Sequence, residues 1–128
     1  MLFMRIFVYG TLMQGFPNHE IIAEYVEEIY EAETTGKLYA VGGFPGLVEG
    51  NGKVEGELLV FNDDFEQEIL NKLDRLEGCP HLFERRKKQV VMQKSGEVKE
   101  AWVYIYNSDN FSEVEAIKSG SWKEYSRG

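Results

Sequence analysis

Residues 3–9 form an apolar run broken only by Arg5, and Gly10 stops it. So short and apolar a run reads as a central strand leading into a tight loop. It is too short to span a bilayer and lacks a small-residue cleavage site, so a buried strand is expected and not a signal peptide. No membrane span is expected, and cytoplasm is the expected location.

Two stretches of helical spacing interrupt a succession of strands. Pro17-Asn18 marks a helix start, and Ile21, Ile22, Tyr25, Val26 and Ile29 recur with acids between them, which predicts an amphipathic helix. Thr34, Thr35 and Gly36 interrupt it. Residues 37–41 read as a short strand and residues 42–46, with three glycines and a proline, as a loop. Asn51-Gly52 signals a hairpin turn before a strand over 54–61. Asp63 or Asp64 caps a second helix, whose apolar face is Phe65, Ile69, Leu70, Leu73 and Leu76. Gly78 should stop it, with Pro80 just beyond. Residues 83–92 and 98–106 read as a hairpin turning through Ser95-Gly96. This order predicts an α+β fold with a twisted sheet or small barrel and argues against a regular βαβ repeat. A chain of 128 residues suits one domain, residues 1–128.

Charge narrows the partners. Twenty-two acids against 14 bases leave a net charge of −8, whereas a nucleic-acid binder needs a cationic footprint. The one basic cluster, Arg85-Arg86-Lys87-Lys88, lies in a predicted strand, so its side chains alternate between faces; a solvated strand edge is the favoured reading over a phosphate site. The single cysteine, Cys79, allows no internal disulfide and fits a reducing compartment. With only His19 and His81 beside it, the chain makes a poor zinc set.

Two segments can carry chemistry. At Tyr9, Gly10, Thr11 and Leu12, with Gly15 shortly after, successive backbone N–H groups can form a concave site for a small carboxylate. The loop has no lysine and matches no nucleotide-binding pattern; a plain strand-ending turn is the other reading. In the second segment Leu73, Leu76 and Glu77 share one helical face. That puts Glu77 on an apolar stripe at the negative end of the helix dipole, where burial and dipole both oppose its ionised form. Either it is a working carboxylate, or it sits at a frayed end and reaches water. Asp74 and Arg75 face elsewhere, towards solvent. Trp102, Tyr104 and Tyr106 share a strand face and read as core, or as the lining of a cavity.

At these two segments the sequence resembles the gamma-glutamylcyclotransferase family. Val8-Tyr9-Gly10-Thr11-Leu12, with Gly15, is similar to its signature opening, and Leu73-Asp74-Arg75-Leu76-Glu77-Gly78, with Pro80, to its catalytic helix end. Phe44-Pro45-Gly46, Val54-Glu55-Gly56-Glu57-Leu58, Ala101-Trp102-Val103-Tyr104 and Gly120-Ser121-Trp122, with Tyr125, resemble further family pieces in the same order. Phe83 stands where the family often has tyrosine, and Ser121 where aspartate is common; both bear on substrate choice. The resemblance implies a small mixed β-barrel flanked by helices, with a cavity at one mouth. It implies that Tyr9, Gly10, Thr11 and Leu12 bind a small γ-glutamyl substrate and that Glu77 is the general acid/base, with no metal or cofactor. The implied reaction releases 5-oxoproline and a free amine. A binding module that keeps the cavity without turnover is the alternative, and the oligomeric state stays open.

If the acidic balance governs partners, duplex DNA added at physiological ionic strength leaves the protein's mobility unchanged. Tight, salt-sensitive binding would contradict this.

Overall fold

The computed structural model describes residues 2–111 and 114–127. The described elements run β1 (Phe3–Val8), β2 (Val26–Val41), β3 (Phe44–Asn62), α1 (Glu66–Leu76), β4 (Phe83–Met92), β5 (Val98–Tyr106), β6 (Glu115–Ala116) and α2 (Trp122–Arg127), with short 3-10 turns between several of them. The sheet order is β3-β1-β5-β4-β2-β6, and β3 also pairs with β2. That extra pairing closes five strands into a barrel. The β1–β5 pair is parallel and the others are antiparallel, so the barrel is mixed, as expected. Strand β6 hangs outside it on β2.

β1 lies between β3 and β5, which explains why its run is apolar but for Arg5, since a central strand needs apolar residues on both faces. Ile6 and Phe7 are fully buried, with Leu47, Leu58, Leu59 and Phe61 of β3. Helix α1 covers the barrel with Ile69, Leu70 and Leu73. Burial of each such side chain stabilises the fold by roughly 1.5–3 kcal/mol.

The first predicted helix is a correction. Residues Pro17–Ile21 and Ala23–Tyr25 are single 3-10 turns, and Val26 already begins β2. A β-bulge imitates the helical spacing here. The register shifts between Val26 and Glu28, so Val26 faces Phe61 while Ile29 faces Leu59. Two partners that are two apart share a face, so Val26 and Ile29, three apart, do too. Further along β2, Ala32, Thr34, Gly36, Leu38 and Ala40 are buried in strict alternation, the period of a strand.

The turn at Asn51-Gly52 is a second correction. These residues lie within β3, in an excursion between Val48, which faces Lys37, and Lys53, which faces Thr35. The hairpin turn is Gly42-Gly43, between paired Val41 and Phe44, with Gly42 at φ +67°. The expected cap at Asp63 or Asp64 is a further correction: both lie in a 3-10 turn, Asp63–Phe65, ahead of α1. The Asn62 side chain caps that turn, accepting from the Asp64 N–H at 2.9 Å, and α1 itself starts after Phe65 with no side-chain cap. The β4–β5 hairpin forms as expected.

The chain's end is clasped to the barrel. Gly120 accepts from the Glu55 N–H at 2.8 Å. It has φ +72°, and a Cβ there would lie 2.0 Å from the Lys53 carbonyl oxygen. Ser121 then caps α2, its hydroxyl accepting from the Glu124 N–H at 3.1 Å. An aspartate could make the same cap, so Ser121 departs from the family without loss of local structure. Gly120→Ala should cost about 2 kcal/mol or more, from the strained φ and the backbone clash. Urea unfolding would read the loss; an unchanged midpoint would refute the clasp.

Candidate active site

The β1 ladder ends at Val8, opposite Glu57, and the chain turns into the 9–12 loop. Its outward groups are tied down. The Gly10 carbonyl accepts from the Met13 N–H at 3.1 Å. Thr11 Oγ1 accepts from Asn18 Nδ2 at 2.9 Å, and the Leu12 carbonyl accepts from His19 Nδ1 at 2.8 Å. Gln14 N–H donates to the buried Glu57 carboxylate at 2.8 Å. By contrast, the N–H groups of Gly10, Thr11 and Leu12 donate to no acceptor among the described residues. Three successive N–H groups without a partner in a fixed loop can serve as an anion cradle, since a buried N–H without a partner is rare.

Glycine is required at position 10 because a Cβ there would stand 2.6 Å from Pro45 Cγ. Only a bare Cα lets the start of β3 close over the loop. Tyr9 anchors the same corner: its hydroxyl donates to the Tyr104 carbonyl at 2.6 Å and accepts from the Leu47 N–H at 3.2 Å. Its hydroxyl is thus structural, although Tyr9 also lines the cavity.

Glu77 faces this loop. Gly78, at φ +63°, ends α1, with Gly78 N–H bonded to the Arg75 carbonyl and Cys79 N–H to that of Asp74. This doubly bonded helix end makes Glu77 the C-cap residue and holds its backbone in place, which excludes the frayed-end reading. Leu73 is buried while Leu76 is partly exposed, at 39%, so the inward face at the helix end belongs to Leu73 and Glu77. Glu77 lines one cavity with Phe7, Gly10, Thr11, Pro45 and Tyr104, among others. About 40 Å³ there admits water centres, room for about three waters or the compact end of a ligand. Burial pushes the Glu77 carboxyl up to about 7.

Three residues that were expected in solvent or core meet behind the cavity. Asp74 is held by Arg85, with Nε donating at 2.9 Å and Nη2 at 3.1 Å, and by the Tyr104 hydroxyl at 2.6 Å. Burial alone would raise the Asp74 pKa, but the Arg85 and Tyr104 hydrogen bonds and the Arg85 charge outweigh it and hold it below its usual value. Arg85 also stacks on Trp102, 4.5 Å from the ring centroid. The rest of the basic cluster is paired too: Arg86 with Glu84, Lys87 with Glu100 and Lys88 with Glu49. The only advance signal was the period-2 placement of Trp102, Tyr104 and Tyr106. Phe83, the other departure from the family, is buried and packs edge-on against Tyr106 at 5.1 Å. Among the described residues no group of three or more His, Cys, Asp or Glu is placed to hold a metal ion, and no helix is long and apolar enough to cross a membrane.

The raised Glu77 pKa predicts a pH-dependent stability. The fold favours the protonated carboxyl, so Glu77's contribution is fully present below its ordinary pKa of 4.5 and is lost as pH rises through about 7. At pH 4 the protein and Glu77→Gln should be equally stable. At pH 8 the variant should be more stable by about 1–2 kcal/mol, a figure reduced for the residue's partial exposure. Parallel urea curves at both pH values test the sign.

Similarity to known proteins identifies the family and the barrel. Residues 6–124 match the family model described as gamma-glutamyl cyclotransferase, AIG2-like. The gamma-L-glutamyl-butirosin B gamma-glutamyl cyclotransferase of Niallia circulans is 34% identical, over 94% of this chain and 76% of that one. The gamma-glutamylcyclotransferase family protein YtfP of Escherichia coli K12 is 31% identical, over 93% of this chain and 96% of that one. The crystal structure of a mouse AIG2-like protein superposes with a TM-score of 0.71 at 26% identity, covering 84% of this chain and 80% of that one. A closed barrel, a donor loop at its rim and a glutamate at the helix end facing it occur here in a chain that belongs to the gamma-glutamyl cyclotransferase, AIG2-like family.

Proposed function

We propose that this protein is a cofactor-independent γ-glutamyl cyclotransferase of the cytoplasm, with Glu77 as its general acid/base. The observation that carries the reading is a carboxyl raised to about 7 in one cavity with a loop of free N–H donors. The relative from Niallia circulans is named for removing a γ-glutamyl group from butirosin, which supports the same bond as the target here.

The substrate supplies its own nucleophile. Glu77 takes a proton from the α-ammonium, and the freed amine attacks the γ-carbonyl carbon. A C–N bond closes the five-membered ring, and the carbonyl oxygen becomes an oxyanion. Gly10, Thr11 and Leu12 N–H groups can hold that oxyanion or the α-carboxylate. The γ-carbon's bond to the leaving nitrogen then breaks as Glu77 returns its proton there. The carboxylate so regenerated takes the surplus proton from the ring nitrogen and passes it to the departing amine, giving 5-oxoproline and a free amine in its ammonium form. Holding the substrate curled gives the ring closure its proximity advantage, and a carboxyl titrating near neutrality suits these proton transfers.

A panel of γ-glutamyl amines and peptides, assayed for 5-oxoproline, should reveal turnover. Glu77→Gln keeps size and shape but removes the base, so kcat should fall on the order of 10²–10⁴-fold in a folded protein. The kcat/KM of the unchanged protein should rise with pH through about 7, as Glu77 ionises in the free enzyme. A folded Glu77→Gln protein working at near-native rate would overturn the assignment.

A further inference from the structure

Resting on the reading above, the geometry points to Tyr104 as a second binding group for the substrate's α-amine, one whose polarity Asp74 and Arg85 impose. A free tyrosine hydroxyl can donate or accept. Here the hydrogen is committed: the hydroxyl donates to Asp74 Oδ1 at 2.6 Å. Asp74 cannot turn away, because Arg85 grips both its oxygens and is itself laid on the Trp102 ring. Asp74 stays an anionic acceptor, as its lowered pKa requires. Tyr104 in turn stays a neutral phenol, its pKa raised by burial and by the Asp74 bond.

The Tyr104 oxygen therefore has only lone pairs left to offer, and it accepts from no donor among the described residues. Tyr104 lines the same cavity as Glu77, close enough for the Glu77 charge to act on its hydroxyl. A group of this kind cannot stabilise an oxyanion, since it has no hydrogen to give. It fits an N–H instead.

The stereochemistry of the attack uses such an acceptor. A neutral primary amine has two N–H bonds and one lone pair. If Glu77 and Tyr104 each accept one N–H, the lone pair is turned away from both, towards the γ-carbonyl. Glu77 alone would leave the amine free to rotate about a single hydrogen bond. In this arrangement Glu77 moves the proton, Tyr104 touches and orients the nucleophile, and Asp74 and Arg85 are positioning residues that act through Tyr104.

L-Glutamate and glutarate differ only in the α-amino group and release no amine, so their affinities for the intact protein measure this contact without turnover. The unchanged protein should prefer L-glutamate. Tyr104→Phe should lower that preference roughly tenfold or more, the usual worth of a hydrogen bond to a charged group, with glutarate binding unchanged. Asp74→Ala keeps Tyr104 but frees its hydroxyl hydrogen to turn into the cavity, and should lower the preference too; it also serves as the readout if Tyr104→Phe fails to fold. A preference for L-glutamate that survives in folded Tyr104→Phe or Asp74→Ala, or that is missing from the unchanged protein, overturns the inference. Turnover by Glu77→Gln is a separate measurement, so the general-base reading and the amine-site reading can fail independently.

Discussion

The double pairing of β3 is the constraint on which the rest depends. One strand of 19 residues pairs through its last third with β1 and along its length with β2. Without the second pairing the sheet would be open, with β3 at one edge and its ladder groups exposed. With it, the sheet becomes a barrel, and the ends of its strands become a rim. The 9–12 loop leaves β1 at that rim, and Pro45, near the start of β3, closes over Gly10. The cavity is thus a product of closure: its walls come from strands far apart in sequence, and the donor loop is fixed because β3 holds β1 on one side and supplies Glu57 and Pro45 on the other.

Closure also explains why β2 and β3 are irregular. Long paired strands twist, and wrapping them round a small barrel takes extra residues where the curvature is sharpest. The bulge at Val26/Glu28 and the excursion before Lys53 supply them. Gly36 and Gly52 meet at that excursion, where a Cβ on Gly52 would lie 2.8 Å from the Gly36 carbonyl oxygen. The same devices misled a periodicity reading. A bulge turns a spacing of three into one face of a strand, so Val26 and Ile29 looked helical. Asn-Gly marks a backbone that must bend, but not whether the bend reverses the chain. Local elements with no long-range irregularity were legible: β1, α1 with Gly78 at its end, and the β4–β5 hairpin.

The site was half legible for a related reason. Glu77 and the 9–12 loop each stand out locally, one as an acid on an apolar stripe and the other as a strand halted by glycine. Asp74, Arg85 and Tyr104 do not. Each taken alone is an ordinary surface acid, a surface base or a core aromatic, and their identity as a cluster exists only once α1, β4 and β5 are packed together. Asp74 lies on the helix that carries Glu77, but its partners come from Arg85, 11 residues on, and Tyr104, 30 residues on. No helical or strand period reports such distances.

That cluster gives the site its electrostatic logic. Asp74 and Glu77 are two carboxylates within one turn of one helix, and their surroundings push them in opposite directions. The guanidinium and phenol around Asp74 keep it ionised, whereas Glu77 gains no such partner and is governed by burial alone. Pairs of carboxylates separated in this way divide labour, one serving as fixed charge and the other as proton carrier. The division is self-consistent. Arg85 compensates Asp74 so fully that the cavity does not carry two free negative charges, and Glu77 can therefore exchange a proton near neutral pH. Had Arg85 faced solvent, as a strand-edge arginine commonly does, Asp74 would have been an uncompensated charge behind the cavity, and the Tyr104 hydroxyl would have lost the anchored acceptor that fixes its direction.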